Sequence, residues 1–491
     1  MDQIVSIRPL LAVIVSISAV PFIVLSASRP NLREAWTFLA AGAKFLIVLS
    51  MLPHILKGGQ YVYTLVEVLP GAPLQLRVDA MGMLFALVSS SLWIVTSAYS
   101  IGYMRGLDEH SQTRYFCFFA VALSSTIGVA FSANLLTLYL FYEMLSLATY
   151  PLVTHHQDSE AKRSGRKYLT YILGTSIGLV LPAMLYVYHI CGNLNFESLG
   201  ILGGKAPPAV VSVLLLMFVF GFAKAALMPL HAWLPAAMVA PTPVSALLHA
   251  VAVVKVGVFS IAKVLLFTFG IKELSTLNIV PIVTYLACFT IVVGSLIALS
   301  QDNLKRLLAY STISQLSYII LGVTLLSPKG LTGGLIHIPM HAFGKITLFF
   351  CAGAIFVATG KKNISEMYGI GRKMPVTMTA FFIGSLSIIG LPPCGGFISK
   401  WNLLLGSLQS HQLTALVVLL TSSLLNAAYF MPVVYKAFFA KGVSPSEDVK
   451  EAPLFCVVPL CITSLLSIIM LFYPQPFGRL IDIIIGQLMG R

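Results

Sequence analysis

Charged side chains are scarce in this 491-residue chain. They make up 10% of it, while apolar residues make up 58% and the mean hydropathy is +0.91. Since a water-soluble chain carries about a quarter charged residues, this composition excludes a soluble protein and makes lipid the expected solvent. A net charge of +14 would suggest nucleic-acid binding in a soluble protein. Here the basic residues are scattered among short connectors, so we expect a lipid bilayer around the chain and no nucleic-acid partner.

Cysteine is also sparse. The chain has seven cysteines, an odd number, mostly in apolar stretches and without a CxxC pair. This pattern argues against a disulfide framework, a haem or an iron–sulfur cluster, so we expect no cofactor and no redox centre in the chain itself. The N-terminus lacks a basic segment followed by an AxA-like cleavage site, and the first apolar stretch is therefore expected to remain as a helix.

Long apolar runs fill nearly the whole chain. A bilayer span takes about 20 apolar residues, and only helices or closed barrels satisfy their backbone in lipid. The runs are too long and continuous for barrel strands. The sequence therefore predicts an all-α polytopic membrane protein with about 14 transmembrane helices. We place them near 9–27, 35–56, 78–101, 115–132, 134–154, 167–191, 209–229, 242–268, 277–299, 306–326, 331–357, 376–400, 413–438 and 454–476.

Alternate connectors carry an excess of Lys and Arg. By the positive-inside rule these connectors face the cytoplasm, and both termini are then expected on the outer face. The basic connector residues are Arg29, Arg33, Arg105, Arg114, Lys162, Arg163, Arg166, Lys167, Lys305, Arg306, Lys361, Lys362, Arg372, Lys373, Lys441 and Lys450.

Two stretches interrupt the helical pattern with prolines and glycines. Residues 221–250 include Pro229, and residues 385–401 include Pro392, Pro393 and Gly395. They predict discontinuous seventh and twelfth helices. Kinks that only assist packing are the alternative.

The two breaks lie five helices apart. Because five is an odd number, two consecutive five-helix units cross the membrane in opposite directions and have inverted topology. Interrupted helices at matching positions of such inverted repeats indicate a transport site near the midplane of the bilayer. We therefore divide the chain into helices 1–3 (1–114), a first inverted repeat (115–268), a second inverted repeat (269–440) and a C-terminal helix (441–491).

Five ionisable residues are expected within the membrane, where a charge costs at least about 2.5–3.5 kcal/mol and indicates function by default. Glu143 lies midway along the fifth helix and cannot reach water. Lys224, Lys255 and Lys345 lie within the seventh, eighth and eleventh helices. Lys400 ends the twelfth, where an interfacial position is the alternative. If Glu143 approaches Lys224, movement of the carboxylate would load or release the lysine proton.

The eleventh helix has an informative spacing of polar residues. His337, His341 and Lys345 stand at i, i+4 and i+8, so they share one face over about 12 Å. Groups so placed can pass a proton through intervening water. Histidines four apart also chelate zinc, but no carboxylate or cysteine stands at ligand spacing on this helix, and we predict no metal. Simple hydrogen bonding to neighbouring helices is a further alternative.

Other polar residues extend this set. His231 and His249 flank the first break, and the tenth helix carries Ser311 and Gln315 among several hydroxyl groups. These side chains can hold water along a proton path. Hydrogen bonding between helices explains them equally well.

Several segments together resemble one family. FYEMLSLATYPLV, GFAKAALMPLHAWLPAAMVAPTPVSALLHAVAVVKVGVF, DNLKRLLAYSTISQLSYIILG, HIPMHAFGKITLFF and GLPPCGGFISKW resemble the antiporter-like membrane subunits of Mrp-type cation/proton antiporters, respiratory complex I and membrane-bound [NiFe] hydrogenases. The resemblance runs from about residue 78 to 440. It implies fourteen helices, two inverted repeats, broken seventh and twelfth helices and a central hydrophilic proton path.

The resemblance also implies roles for single residues. Glu143 is similar to the fifth-helix glutamate of the family, and Lys224 to its seventh-helix lysine partner. Lys255 resembles the bridging lysine of the eighth helix. Lys345, preceded by His337 and His341, resembles the residue that joins two half-channels, and His231 and His249 match polar axis positions. Lys400 matches the twelfth-helix position, where lysine instead of glutamate favours the Mrp D-like branch or its hydrogenase relatives.

Two functions then compete. One is a proton-translocating, D-like subunit of an Mrp-type antiporter; the other is the ion-pumping membrane subunit of a redox complex with a hydrogenase-like or NADH:quinone oxidoreductase-like arm. A stand-alone carrier of an organic solute is disfavoured because the polar groups are spread over several helices. Sodium prefers hard oxygen ligands, and Glu143 is the one intramembrane carboxylate identified. We expect protons to move here, sodium to pass through a partner if it is transported, and other membrane subunits to surround the chain in a prokaryotic cytoplasmic membrane.

Overall fold

A computed structural model describes residues 2–440 and 449–490. Within them, twelve helices are long and apolar enough to cross a membrane, and two shorter apolar helices begin the interrupted ones. The prediction of an all-α membrane domain with about 14 helices is confirmed. The helices are α1 (Arg8–Leu25), α2 (Pro30–Ile55), α3 (Ala80–Gly106), α4 (Gln112–Ala130), α5 (Leu135–Val153), α6 (Ser159–Cys191), α7 (Pro208–Gly221), α8 (Thr242–Phe269), α9 (Val280–Leu299), α10 (Leu304–Thr324), α11 (Pro328–Thr359), α12a (Pro375–Ile389), α12b (Gly396–Gln409), α13 (Leu413–Phe438) and α14 (Leu454–Phe472).

Side-chain caps fix where several of these helices start. The first backbone N–H groups of a helix have no partner within it, and a side-chain oxygen at the cap position supplies one. Each capping residue here accepts a hydrogen bond from the backbone N–H three residues later. These residues are Asp79 on α3, Asn134 on α5, Asp158 on α6, Asn303 on α10 and Ser327 on α11.

A small sheet covers one end of the bundle, and the sequence analysis did not anticipate it. Strands β2 (Gln60–Leu69) and β3 (Ala72–Val78) form an antiparallel hairpin, and β1 (Gln3–Val5) pairs with β2 in parallel. Arg77 donates from Nη2 to the Phe196 carbonyl at 2.7 Å, which ties the hairpin to the α6–α7 connector. The sheet therefore closes the face opposite the basic connectors.

The two predicted helix breaks are present. After α7 the chain makes a turn at Ala223–Ala225 and a short helix at Trp233–Ala236 before α8 begins. The indole Nε1 of Trp233 donates to the Ala223 carbonyl at 2.9 Å, and this bond holds the open turn. The predicted helix over 209–229 thus ends earlier, at Gly221. The second break separates α12a from α12b, and it contains Pro392, Pro393 and Gly395 as expected.

Glycines allow close packing at both breaks. A Cβ on Gly257 of α8 would lie 2.2 Å from the Ala225 nitrogen and 2.4 Å from the Lys224 carbonyl carbon. A Cβ on Gly396 would lie 1.8 Å from the Ser387 carbonyl oxygen. The backbone at each break is therefore fixed directly against a neighbouring helix.

The C-terminal region differs from the expectation of one helix after residue 440. A second helix, α15 (Gln475–Met489), follows α14 and packs against α3 and α11. Lys441, one of the predicted basic connector residues, lies outside the described residues. The assignment of 115–268 and 269–440 as inverted repeats remains a prediction.

Candidate functional site

Glu143 and Lys224 lie at the start of a buried polar series. Lys224 sits in the turn after α7 and is fully buried. Its Nζ donates to the Tyr142 carbonyl of α5 at 2.5 Å and to Ser146 Oγ at 2.8 Å, and it lies 3.3 Å from the centre of the Tyr142 ring. The Glu143 carboxylate lies within electrostatic range of Lys224, with Ser146 and Ser176 beside it. Within the described chain its two oxygens accept no hydrogen bond, so carboxylate and amine are neighbours but not a closed ion pair.

Lys255 and His341 form the centre of the series. Lys255 on α8 and His341 on α11 are buried, and Lys255 Nζ lies 2.5 Å from His341 Nδ1. A hydrogen bond between an amine and an imidazole needs one donor and one acceptor, so this contact holds a single shared proton. His249 is buried on α8 and is also within electrostatic range of His341.

His337 continues the series one turn earlier on α11. Its Nδ1 lies 2.8 Å from Ser399 Oγ on α12b, and its ring centre is 5.6 Å from that of His341. The ring also stacks on Tyr318 of α10 at 5.3 Å. The predicted arrangement of two histidines on one face of α11 therefore brings their rings together, and each ring bonds to a different neighbouring helix.

Lys345 and Lys400 are the two remaining lysines of the series. Lys345 Nζ donates to Ser311 Oγ at 2.8 Å, and the Tyr429 hydroxyl of α13 donates to the same oxygen at 2.9 Å. Lys400 Nζ donates to the Ile389 carbonyl at 3.0 Å and to Ser423 Oγ at 3.2 Å. Lys400 is only 5% exposed, so its side chain is buried among the helices.

Several buried polar atoms of this series have no hydrogen-bond partner in the described residues. Buried polar groups in proteins are nearly always hydrogen-bonded, and where the chain offers no partner, ordered water usually does. These atoms therefore mark the places along the series where water is expected. They are both oxygens of Glu143, both ring nitrogens of His249, Nε2 of His337 and of His341, both amide atoms of Gln315, and the Tyr318 hydroxyl.

His231 is the one predicted axis residue that stands apart. It is only partly buried, its Nδ1 lies 3.2 Å from the Pro229 carbonyl, and its ring is 6.5 Å from that of Tyr310. The break residue Pro229 thus positions His231 locally instead of directing it toward His341.

A large vestibule opens on the side of the basic connectors. It has a volume of about 1040 Å³ and draws its lining from the connectors that follow α3, α5, α7, α9 and α11. Lys305 lines it and donates from Nζ to the Ala240 carbonyl at 2.6 Å. The connectors that the charge pattern assigns to one side of the membrane therefore meet around one cavity.

The sequence analysis missed two buried lysines. Lys44 of α2 donates from Nζ to Ser16 Oγ at 2.6 Å and to the Leu123 carbonyl at 3.0 Å, and no carboxylate pairs with it among the described ion pairs. Lys263 of α8 forms an ion pair with Asp79 Oδ2 at 2.6 Å, with both side chains buried. Each lysine interrupts an apolar run, and that interruption was the available signal.

A histidine cluster beside the vestibule was missed as well. It contains Glu109 and His110 from the α3–α4 connector and His155 and His156 from the α5–α6 connector. Burial, together with the charges of His110, His156 and Arg114, lowers the pKa of His155 to about 4. The adjacent histidines at 155 and 156 were the sequence signal.

Comparison with known proteins identifies the family. Residues 132–426, more than half of the chain, match the family described as NADH:quinone oxidoreductase/Mrp antiporter, transmembrane. The chain belongs to this family. The matched region contains Glu143, Lys224, Lys255, His341 and Lys345, so the family resemblance seen in the sequence motifs is confirmed.

Relatives in this family come from both kinds of complex. The chain is 33% identical over 430 residues to NADH-quinone oxidoreductase subunit N of Desulforudis audaxviator, covering 86% of this chain and 83% of the relative. It is 31% identical over 417 residues to the A/B chain of a probable K(+)/H(+) antiporter of Rhizobium meliloti, covering 83% of this chain but only 41% of that relative.

Two solved membrane complexes contain chains of the same fold. One is the Mrp complex from Dietzia sp., with a TM-score of 0.87, 20% identity and coverage of 98% of this chain and 97% of the other. The second is the membrane-bound sulfane sulfur reductase, an archaeal respiratory membrane complex, with a TM-score of 0.85, 25% identity and coverage of 98% of both chains. The family member described here is thus an antiporter-like, multi-pass membrane subunit.

Proposed function

We propose that this chain moves protons along the buried series from Glu143 to Lys400, as one subunit of a multisubunit membrane complex. The observation that carries the proposal is the burial of Lys224, Lys255, His341 and Lys345 among the apolar helices, each hydrogen-bonded to a neighbouring helix. Burying so many ionisable groups is costly, and in membrane proteins such groups mark ion and proton pathways.

In the first half of the path, Glu143 acts as a movable counter-charge. Lys224 is held by the Tyr142 carbonyl and Ser146, while the Glu143 oxygens accept no hydrogen bond from the described chain. A small rotation of the carboxylate toward the amine favours the charged lysine, and withdrawal disfavours it. One proton can thus be taken up and released without a large movement of the backbone.

In the second half, imidazoles replace the carboxylate as proton acceptors. The Lys255–His341 contact holds one proton, and His337 connects it to Ser399 on α12b. Lys345 is repelled electrostatically by both Lys255 and Lys400. A proton arriving at one of them disfavours the charge on the next, and such repulsion couples successive steps. No side-chain hydrogen bond joins Lys224 to Lys255 among the bonds of the described chain, so transfer between the halves requires water.

The basic vestibule is the proposed cytoplasmic entrance. The positive-inside rule places its connectors in the cytoplasm of a prokaryotic cell, with both termini on the outer face of the membrane. Sodium, if the complex transports it, passes through a partner protein because this path offers a single carboxylate and otherwise cationic or imidazole groups.

The direct test measures proton uptake in membrane vesicles that contain the assembled complex. Glu143→Gln and Lys224→Ala should each abolish proton movement while the complex still assembles. The matched controls are Glu67→Gln and Lys57→Ala, which change the same residue types at exposed positions outside the path and should retain wild-type transport. Unimpaired transport in the Glu143 or Lys224 variant would overturn the proposal.

A second measurement separates the two kinds of parent complex. The relatives include chains of an NADH-quinone oxidoreductase and of a probable K(+)/H(+) antiporter. The intact complex, purified through this chain, should be examined for its subunits by mass spectrometry and for iron and nickel. Abundant iron with oxidoreductase-like partners supports a redox-driven pump, and small membrane subunits without metal support an Mrp-type antiporter. Purification as a single active polypeptide would contradict both.

A further inference from the structure

The cluster at the vestibule rim brings three imidazoles to one carboxylate oxygen. Oε2 of Glu109 lies 3.8 Å from His110 Nδ1, 3.8 Å from His155 Nε2 and 3.7 Å from His156 Nδ1. Two separate connectors supply these residues, so the arrangement results from tertiary folding and not from local sequence spacing. None of these four residues belongs to the buried series from Glu143 to Lys400, although Glu109 and His156 line the vestibule.

The spacing of the donor atoms is close to that of a metal site. The ligand atoms of Glu109, His110 and His156 all lie within 4.8 Å of one another. In a tetrahedral zinc site with bonds of about 2.0–2.1 Å, ligand atoms are separated by roughly 3.4 Å. Shifts of a few tenths of an ångström to about an ångström in partly exposed side chains would close this difference.

His155 provides an independent sign that a ligand belongs here. Its side chain is 0% exposed, and neither ring nitrogen has a hydrogen-bond partner in the described chain. Leaving a buried polar group unbonded costs roughly 1–3 kcal/mol. Because Nε2 of His155 is aimed at the same Glu109 oxygen, a bound cation there would give the buried imidazole a partner.

His110 is already oriented as metal-binding histidines are. Its Nε2 lies 3.1 Å from the His155 backbone carbonyl, which can only accept a hydrogen bond. Nε2 therefore carries the proton, and the lone pair of Nδ1 faces Glu109 and His156. A backbone carbonyl that fixes the tautomer in this way is a common second partner of metal-bound histidine.

From these contacts we propose that Glu109, His110 and His156 form a binding site for a divalent transition-metal ion, with Zn²⁺ as the fitting ion, and that His155 faces its fourth position. Imidazole ligands suit zinc, nickel and copper, whereas Mg²⁺ and Ca²⁺ prefer sets of oxygen ligands. The site differs from the sequence-based expectation of no metal, which considered only the histidines of α11. It does not depend on the proposed proton function.

Zinc binding to the purified native complex tests the proposal. The complex is first stripped with a chelator, and bound Zn²⁺ is then measured at free concentrations set by a competing chelator. Compared with wild type, His110→Asn and His156→Asn should each weaken the binding of one zinc equivalent by at least about ten-fold, since even changes to second partners of metal ligands cost 10–100-fold. Excess Mg²⁺ should not compete.

The matched control is His189→Asn, an exposed histidine at the other end of α6. It should leave zinc binding unchanged. The side chain of His110 is 51% exposed, so its replacement is not expected to disturb folding. As a second readout, Co²⁺ in the wild-type complex should show the visible absorption of a tetrahedral site, and His110→Asn should remove it.

Three results would overturn the inference. The first is a wild-type complex that retains no zinc at a micromolar concentration of free Zn²⁺. The second is tight zinc binding, equal to that of wild type, in the His110 and His156 variants, and the third is displacement of zinc by Mg²⁺. Because binding is measured without transport, failure of the proton proposal would leave this test intact.

Discussion

The Asp79–Lys263 ion pair allows a quantitative prediction about stability. Lys263 Nζ lies 2.6 Å from Asp79 Oδ2, and three phenylalanine rings lie 5.5–5.7 Å from the same nitrogen. At this distance and an effective dielectric constant of about 20, the attraction is about 6 kcal/mol. Desolvation of two ions costs several kcal/mol each, so the net contribution of the pair to the free energy of unfolding should be near zero.

Removal of one partner has a different cost, because it leaves a buried charge without compensation. Asp79→Asn should destabilise the protein by about 3–5 kcal/mol. Asparagine can still accept the hydrogen bond that Asp79 Oδ1 receives from the Gly82 N–H at 2.7 Å, so the change isolates the charge. Lys263→Met should cost less, since Arg77 still attracts the Asp79 carboxylate, whereas Arg77 repels Lys263.

The contribution of Asp79 to the free energy of unfolding depends on pH with a defined sign. Burial raises the pKa of Asp79, but the charges of Lys263 and Arg77 and the Gly82 N–H together lower it more, so its pKa lies below the ordinary value. The stabilisation that Asp79 provides is therefore present above the unfolded pKa of about 3.9 and is lost as the pH falls through the folded pKa. Between pH 5 and 8, Asp79 should contribute no pH dependence to wild-type stability.

Thermal unfolding in detergent, followed by size-exclusion fluorescence, measures the four members of this double-mutant cycle. We expect the order of midpoints to be wild type, then Lys263→Met, then Asp79→Asn. The double variant should recover to within about 1 kcal/mol of wild type, because no lone charge remains. Additive losses in the double variant, or a larger loss for Lys263→Met than for Asp79→Asn, would refute this reasoning.

Three further changes test other contacts. Gly257→Ala should abolish proton uptake and lower the free energy of unfolding by about 1–3 kcal/mol, because its Cβ would lie 2.2 Å from the backbone at the first break. The control is Gly174→Ala, whose Cβ would have no atom within 4 Å, and it should be neutral in both the uptake and the unfolding assay. His341→Gln should stop proton uptake without lowering the unfolding midpoint by more than a few degrees, since a neutral amide can still bond to its neighbour. Lys44→Met should leave transport unchanged and raise or maintain the midpoint, because it removes a buried lysine without a carboxylate partner; a loss above about 1 kcal/mol would contradict this.

The helices could be predicted from the sequence because their signal is long and repetitive. Runs of about twenty apolar residues are unambiguous in lipid, and proline with glycine marks a break. The positions of α8, α11 and α13 agree with the prediction to within a few residues. The hairpin over 60–78 was missed because it lies outside the apolar runs, and strand pairing depends on contacts between distant residues.

The candidate site was predicted in part for the same reason. A charge within an apolar run is visible in sequence, which is how Glu143 and Lys255 were found. The partner of that charge is not visible: nothing in the sequence indicates that Lys255 meets His341 across 86 positions of chain. Lys263 interrupts an apolar run in the same way and was overlooked, but its pairing with Asp79 at a helix cap is visible only in the fold.

The two lysines beside the breaks show how similar sequence positions acquire different chemistry. Lys224 reaches across to α5 and bonds beside Glu143, so in the proposed mechanism its charge responds to movement between two helices. Lys400 instead folds back onto the carbonyl of Ile389, the last residue of α12a, where terminal carbonyls have no helical partner and attract positive charge. A carboxylate therefore lies close to the first lysine, whereas the second is held by the end of α12a and by Ser423 of α13. Lys345 and His337 of α11 lie within electrostatic range of Lys400, so in the proposed mechanism we expect the coupling between the two halves of the path at α11.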